Sequence, residues 1–231
     1  MKLFVIGVGP GDPELITLKG YKLLQKIKLI FYPKGGKENI ALNIVENLIE
    51  GDEKILIELP FPMVKDKDLS ETWVSLADKI VYWLKKEKEG IFITLGDPAF
   101  YSTYYYIKVP LLQRGVKVEI IPGITSFSLA SARFNIPLTL GNEKGVILTA
   151  EEFFKNIAFY KENTTIILMK VHRYIKEILE FARRNQFCCF IANRLGQKEE
   201  KLWYNIKDME ELHEDHLDYF TLVILKNKMN N

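Results

Sequence analysis

Three short stretches concentrate the residue types that can hold a small ligand against bare backbone. They are Gly7-Val8-Gly9-Pro10-Gly11-Asp12-Pro13, Gly96-Asp97-Pro98 and Pro122-Gly123-Ile124-Thr125-Ser126. Glycines at alternate positions of the first allow a tight turn and remove the side chains that would keep a ligand, or another loop, at a distance. Asp12 reads as an N-cap and Pro13 as a first helical residue, with Glu14 in the positive first turn of a helix through Leu15, Leu18, Leu23 and Leu24. Strand, bare loop and capped helix is the arrangement that opens many ligand-binding α/β sheets.

Dinucleotide binding, the first chemistry such a loop suggests, fails on two positions. A G-x-G-x-x-G fingerprint begun at Gly7 needs a glycine where Asp12 stands, and a carboxylate there repels a pyrophosphate. The second strand, Lys28 to Tyr32, ends in Pro33-Lys34, where a ribose-binding Asp or Glu belongs. No phosphate-gripping lysine follows any of the loops, which excludes a P-loop. No Ser-His-Asp or Cys-His constellation is visible. Cys188 and Cys189 are adjacent in an apolar run, so they point to opposite faces of a strand and read as small buried thiols. His213 and His216, among Glu210, Glu211, Glu214 and Asp215, have zinc-like spacing, yet so charged a stretch reads as a solvated face; no metal is expected.

The elements that must position these loops follow from periodicity. Lys2 to Ile6, Lys28 to Tyr32, Lys54 to Leu59, Ile91 to Leu95 and Val116 to Ile121 read as short buried strands. Helical patterns run over Glu38 to Ile49, through Leu69, Trp73, Leu76, Ala77, Ile80 and Leu84, and over Phe127 to Phe134. In a parallel sheet the carboxyl ends of strands lie along one edge, where ligands bind, and all three loops follow strands. Pro137 and Gly141-Asn142 close this half, which predicts α/β domains at 1–141 and 142–231. In the second, strands are predicted at Gly145 to Ala150, Thr164 to Met169, Phe187 to Ala192, Lys201 to Ile206 and Tyr219 to Lys226. Helices are predicted at Glu151 to Tyr160 and Arg173 to Arg184. The late connections are too short for helical crossovers, which predicts antiparallel pairing there.

With 231 residues, 48% of them hydrophobic, the chain can bury a proper core. A formal charge of +2 gives no long-range pull on nucleic acid or membrane, so neither is an expected partner. The chain opens directly on a strand without signal-peptide features, and no apolar run reaches membrane-spanning length; a cytoplasmic protein is expected.

Taken together, the three loops resemble the tetrapyrrole methylase family, which transfers a methyl group from S-adenosylmethionine to the carbon skeleton of a corrinoid or sirohaem precursor. The stretch from Val5 to Gly20 is similar to its amino-terminal motif almost without a break. Thr94-Leu95-Gly96-Asp97-Pro98 and Ile121 to Ser126 are similar to its second and third motifs. Tyr32-Pro33-Lys34, Phe61-Pro62-Met63 and Leu95 to Tyr104 are similar to the branch that methylates carbon 20 of cobalt-factor II or precorrin-2. Arg194-Leu195-Gly196 with Glu199-Glu200 is similar to a late Arg-x-Gly stretch, while Thr149-Ala150 and Asn193 match more loosely.

The resemblance implies two α/β domains, a mostly parallel sheet followed by a mixed one, with the donor in the cleft between them and a homodimer as the assembly. It implies that Pro10, Leu95, Gly96, Asp97, Phe100, Thr125, Ser126, Met169 and Leu195 line the donor site. A sulfonium is cationic and is suited by carbonyls and one carboxylate, for which Asp97 is the candidate; the alternative is that Asp97 only caps a helix. Tyr101 or Tyr104, or simply water, is a candidate to take the meso proton, against core packing as the plainer role of the Tyr101, Tyr104, Tyr105, Tyr106 cluster. Lys34, then Lys170, His172 and Arg173, are candidates to meet the carboxylate arms of the ring, although such cations usually serve as solvated surface charge. Other readings are a sirohaem-type, diphthine or ribosomal-RNA methyltransferase of the same fold, an NAD(P)-binding oxidoreductase, and a non-catalytic module.

Overall fold

A computed structural model describes residues 1–35, 39–49, 53–62, 68–157, 164–204, 212 and 217–227. The chain divides into two compact units, Met1–Thr125 and Ser126–Asn231. In the first, strands β1 (Lys2–Gly7), β2 (Leu29–Lys34), β3 (Ile55–Pro60), β4 (Glu89–Thr94) and β5 (Lys117–Ile121) form one sheet in the order β3-β2-β4-β1-β5. Every pairing is parallel, as the apolar runs predict.

Helices cover both faces of this sheet, because neighbouring residues of a strand point in opposite directions. Leu3 and Val5 of β1 belong to a core with Leu76, Ile80 and Leu84 of α3 (Ser70–Glu87) and with Tyr104, Ile107 and Leu111 of α4 (Tyr104–Gln113). Phe4 and Ile6 face the other way, into a core with Leu24 of α1 (Leu18–Lys26) and Ile44 and Val45 of α2 (Ile40–Val45).

Two local readings need correction. The helix expected directly behind Asp12 is two pieces. Asp12 Oδ1 accepts from the Glu14 amide at 2.9 Å and caps only a 3-10 turn over Pro13–Leu15. The chain is extended again at Ile16 and Thr17, and Thr17 Oγ1, accepting from Gly20 N at 3.2 Å, caps α1 itself. Helix α4 has no counterpart among the elements expected from periodicity, because it contains Pro110 and apolar side chains nearly all round. Burial of Tyr104, Ile107 and Leu111 at i, i+3 and i+7 holds it in place despite the proline.

The second unit holds a sheet in the order β6-β7-β10-β8-β9, built from β6 (Lys144–Thr149), β7 (Thr164–Met169), β8 (Cys188–Asn193), β9 (Lys201–Trp203) and β10 (Leu222–Lys226). β6 and β7 pair in parallel across a connection that includes α6 (Ala150–Lys155); the remaining pairs are antiparallel, as their short connections predict. One face packs on α6 and α7 (Ile175–Arg184) through Phe153, Ile178 and Phe181. The other meets α5 (Ser126–Phe134), whose Phe134 ring lies 5.3 Å from that of Phe190 on β8. That contact puts α5 with the second unit, ahead of the division at 141 expected from Pro137 and Gly141-Asn142.

Candidate functional site

Strand order makes the three glycine loops neighbours. β4 and β5 flank β1 directly, so the loops that leave their carboxyl ends emerge side by side although their glycines stand far apart in sequence. They meet backbone to backbone. Gly9 N donates to Gly96 O at 3.2 Å and Gly96 N donates to Gly9 O at 2.7 Å, with Gly9 at φ 81° and Gly96 at φ 67°. A Cβ added at Gly7 would stand 2.5 Å from Gly96 O and 2.8 Å from Gly123 N. One added at Gly123 would stand 2.8 Å from the Gly7 carbonyl oxygen and closer still to Gly96 O. The bare backbone of these loops is therefore used first by the loops themselves.

Asp97 ties the arrangement together. Its Oδ1 accepts from Ala99 N at 2.7 Å and its Oδ2 from Gly123 N at 2.9 Å, so one carboxylate bridges the second and third loops. It caps a turn, with Phe100 N donating to Asp97 O at 3.2 Å, while the N-cap of α4 is Thr103; the helix-cap reading of Asp97 does not hold. Beneath the loop, the buried hydroxyls of Thr94 and Ser102 lie 3.1 Å apart, and Ser102 Oγ accepts from Tyr104 N at 3.3 Å.

The two candidate tyrosines separate here. Tyr104 has no exposed surface, and burial, with Tyr105 beside it, pushes its phenol up to about 12; it is a core residue and no proton acceptor. Tyr101 is 48% exposed and sits at φ 54°, a left-handed conformation uncommon outside glycine.

In the second unit the carboxyl ends of β7 and β8 lie at one edge of the sheet, because both run antiparallel to β10 between them. Leu222 stands opposite both Met169 and Ala192. Here side chains do the fastening. Asn193, buried at 3% exposure, donates from Nδ2 to Asp218 Oδ1 at 2.9 Å and to Thr221 Oγ1 at 2.8 Å. Arg194 Nε reaches Asp218 Oδ2 at 2.6 Å, and Phe220 N donates to Asp218 Oδ1 at 2.9 Å. Glu200 receives Gly196 N at 2.6 Å and Arg133 Nε at 2.9 Å. Lys170 Nζ lies 5.4 Å from the centre of the Tyr219 ring. Burial, reinforced by the Arg173 guanidinium and opposed by Asp218, holds the His172 imidazole below its ordinary value.

Residues 2–210 match the family model described as Tetrapyrrole (Corrin/Porphyrin) Methylases. This chain belongs to the tetrapyrrole methylase family. It is 37% identical over 229 residues, 97% of this chain and 96% of the relative, to the "Probable cobalt-precorrin-2 C(20)-methyltransferase" of Methanocaldococcus jannaschii. To the cobalt-precorrin-2 C(20)-methyltransferase of Salmonella typhimurium it is 29% identical, over 97% of this chain and 95% of that one. Among solved structures, cobalt precorrin-4 methyltransferase superposes with a TM-score of 0.73 at 23% identity, covering 97% of this chain and 94% of that one. The uroporphyrin-III C-methyl transferase of Thermus thermophilus complexed with S-adenosyl homocysteine gives 0.70 at 20% identity, covering 98% and 97%. Those likenesses establish the shared fold.

For a tetrapyrrole methylase, the candidate donor-site residues fall into two groups. Pro10, Leu95, Gly96, Asp97, Phe100 and Thr125 stand on the three convergent loops of the first unit. Ser126 opens α5, Met169 ends β7 and Leu195 follows the end of β8 in the second unit; Lys170, a candidate for the ring's carboxylate arms, follows β7. Lys34 closes β2 and is ion-paired at 3.1 Å with Glu58 of β3. His213 and His216 lie outside the described residues. The fastener that sequence reasoning missed is Asp218. Its signal is local: Asp218-Tyr219-Phe220-Thr221 just ahead of a strand, a turn in which Thr221 Oγ1 donates back to Asp218 O at 2.8 Å.

Proposed function

We propose that this protein transfers the methyl group of S-adenosylmethionine to carbon 20 of cobalt-factor II (cobalt-precorrin-2) in cobalamin biosynthesis. The observation that carries the reading is the 37% identity, over nearly the whole of both chains, to a relative bearing that name. The loops support it physically. A site built on bare loop backbone, with no phosphate-binding lysine on the three loops, suits a sulfonium better than a diphosphate.

S-adenosylmethionine supplies an electrophilic methyl group, and the conjugated ring supplies the carbon nucleophile. The protein's own contribution is alignment, which can amount to about 7–11 kcal/mol when reactants are held in near-attack geometry. In this reading Pro10, Leu95, Gly96, Asp97, Phe100, Thr125, Ser126, Met169 and Leu195 form the donor site. The meso proton leaves to water, either directly or through the exposed Tyr101 phenol, which passes its own proton to solvent as it takes the new one; Tyr104 is buried. Lys34 and Lys170 meet the carboxylate arms, and Lys34 does so by exchanging Glu58 for a substrate carboxylate. A cytoplasmic homodimer completes the proposal.

Thermal melting tests the donor. S-adenosylhomocysteine at a hundredfold over its dissociation constant should stabilise the fold by about 2.7 kcal/mol, and NADH should not. Stabilisation by NADH alone would end the methyltransferase reading. The metal-free ring is the second candidate substrate, favoured by 31% identity over 77% of this chain to the precorrin-2 C(20)-methyltransferase of a Sinorhizobium. Incubation with labelled donor and each ring, with NMR to locate the new methyl group, decides between them; label at any carbon but 20 removes both.

A further inference from the structure

We propose that Asp97 is a positioning residue: its carboxylate knots the second and third loops into one surface and acts on the methyl donor through their backbone, not through the sulfonium charge. The inference rests on the methyltransferase reading above and concerns how its donor site is held. Both carboxylate oxygens of Asp97 are engaged by main-chain amides, Ala99 N at 2.7 Å and Gly123 N at 2.9 Å. The second partner is reached only because residue 123 is glycine; any Cβ there would strike the carbonyls of Gly96 and Gly7. The Gly9–Gly96 bridge joins the first two loops, and the Asp97–Gly123 bond ties the third to the second.

Immediately beyond Gly123 come Ile124 and Thr125, and immediately before Asp97 come Leu95 and Gly96. The backbone these residues present is therefore set by the knot. The half-buried Gly123 amide, on losing its ionised acceptor, must move to find another, whereas the exposed Ala99 amide can turn to water. Asparagine is the discriminating replacement, because it has one acceptor oxygen for two amide donors and turns an NH2 group on one of them.

The experiment titrates S-adenosylmethionine and S-adenosylhomocysteine into the full-length protein and its Asp97→Asn and Asp97→Ala variants, by calorimetry. The two ligands differ in charge at sulfur, cationic in the first and neutral in the second. Positioning predicts that both lose affinity by the same factor, on the order of tenfold. It also predicts that kcat falls along with donor affinity. A direct carboxylate–sulfonium contact would weaken the cationic ligand by well over about tenfold and leave the neutral one nearly untouched, which overturns the proposal. Unchanged affinity for both in a folded variant overturns it too, since Asp97 would then be structural only. Should the variants fail to fold, amide hydrogen exchange on the wild type reads the knot directly. Slow exchange at the half-buried Gly123 amide is expected, and fast exchange there would sink it. Failure of the wild type to bind either ligand would count against the methyltransferase reading, and the exchange measurement would still decide whether the knot exists.

Discussion

The strand ends of the two units are fastened in different ways. Each is organised by one aspartate, but Asp97 accepts from two backbone amides whereas Asp218 gathers the side chains of Asn193 and Arg194 with a single amide. In the first unit the groups that Asp97 fastens are main chain, so Gly7 and Gly123 have no substitutes: a methyl group at either would collide with a carbonyl. In the second the fastening groups are side chains, which can exchange partners and lengths and still close a network. Motifs are strict where backbone touches backbone. Side chains that span a gap leave that freedom, and Val5 to Gly20 is the closer match to the family motif, Asn193 the looser.

The largest test of that contrast is Gly123→Ala. Its Cβ meets backbone that cannot rotate away, so a loss of about 3 kcal/mol in urea unfolding is expected. Gly115→Ala is the control, with φ 72° but nothing within 4 Å, and should cost about 1 kcal/mol for the left-handed conformation alone. Equal losses would mean that the loops do not press on one another. Next comes Asp218→Ala, which leaves buried Asn193 and the Arg194 guanidinium without their shared acceptor and should cost about 2 kcal/mol. Asp218→Asn should recover part of it; a loss beyond that of Gly123→Ala would reverse the comparison.

The smallest effect lies at the surface of the first sheet, where hydrogen bonds from Lys19 at 2.6 Å and Lys2 at 2.8 Å bring the Glu119 carboxyl down to about 2. A carboxyl lowered by folding stabilises above its ordinary value of 4.5, and that contribution disappears as pH falls toward 2. Glu119→Gln should therefore melt lower than wild type at pH 7, and the gap should close between pH 4.5 and 2. A gap independent of pH would assign the effect to packing.

The parallel character of the first sheet was legible because strands buried on both faces read as continuous apolar runs, as in Leu3 to Ile6. The antiparallel end of the second sheet was legible because its connections are too short for crossovers. Helix α4 was not, since Pro110 and its aromatic neighbours mask the spacing of the three residues it buries. Nor was the break after Leu15, where the competing caps Asp12 and Thr17 stand close together and only the backbone shows that each starts its own piece. Of the candidate site, the glycine loops were legible. The burial that removes Tyr104 and the ion pair that occupies Lys34 depend on α4 and β3, which lie far from them along the chain or were hidden in it.

By itself the amino-acid sequence determined which loops are bare, which strands are buried and that no diphosphate-gripping group accompanies them, because glycine, apolar runs and missing lysines are local properties. Only the tertiary structure decided what the bareness is for. Placing β1 between β4 and β5 brings Gly7, Gly96 and Gly123 within a methyl group of one another, and no local pattern specifies the order of strands in a sheet.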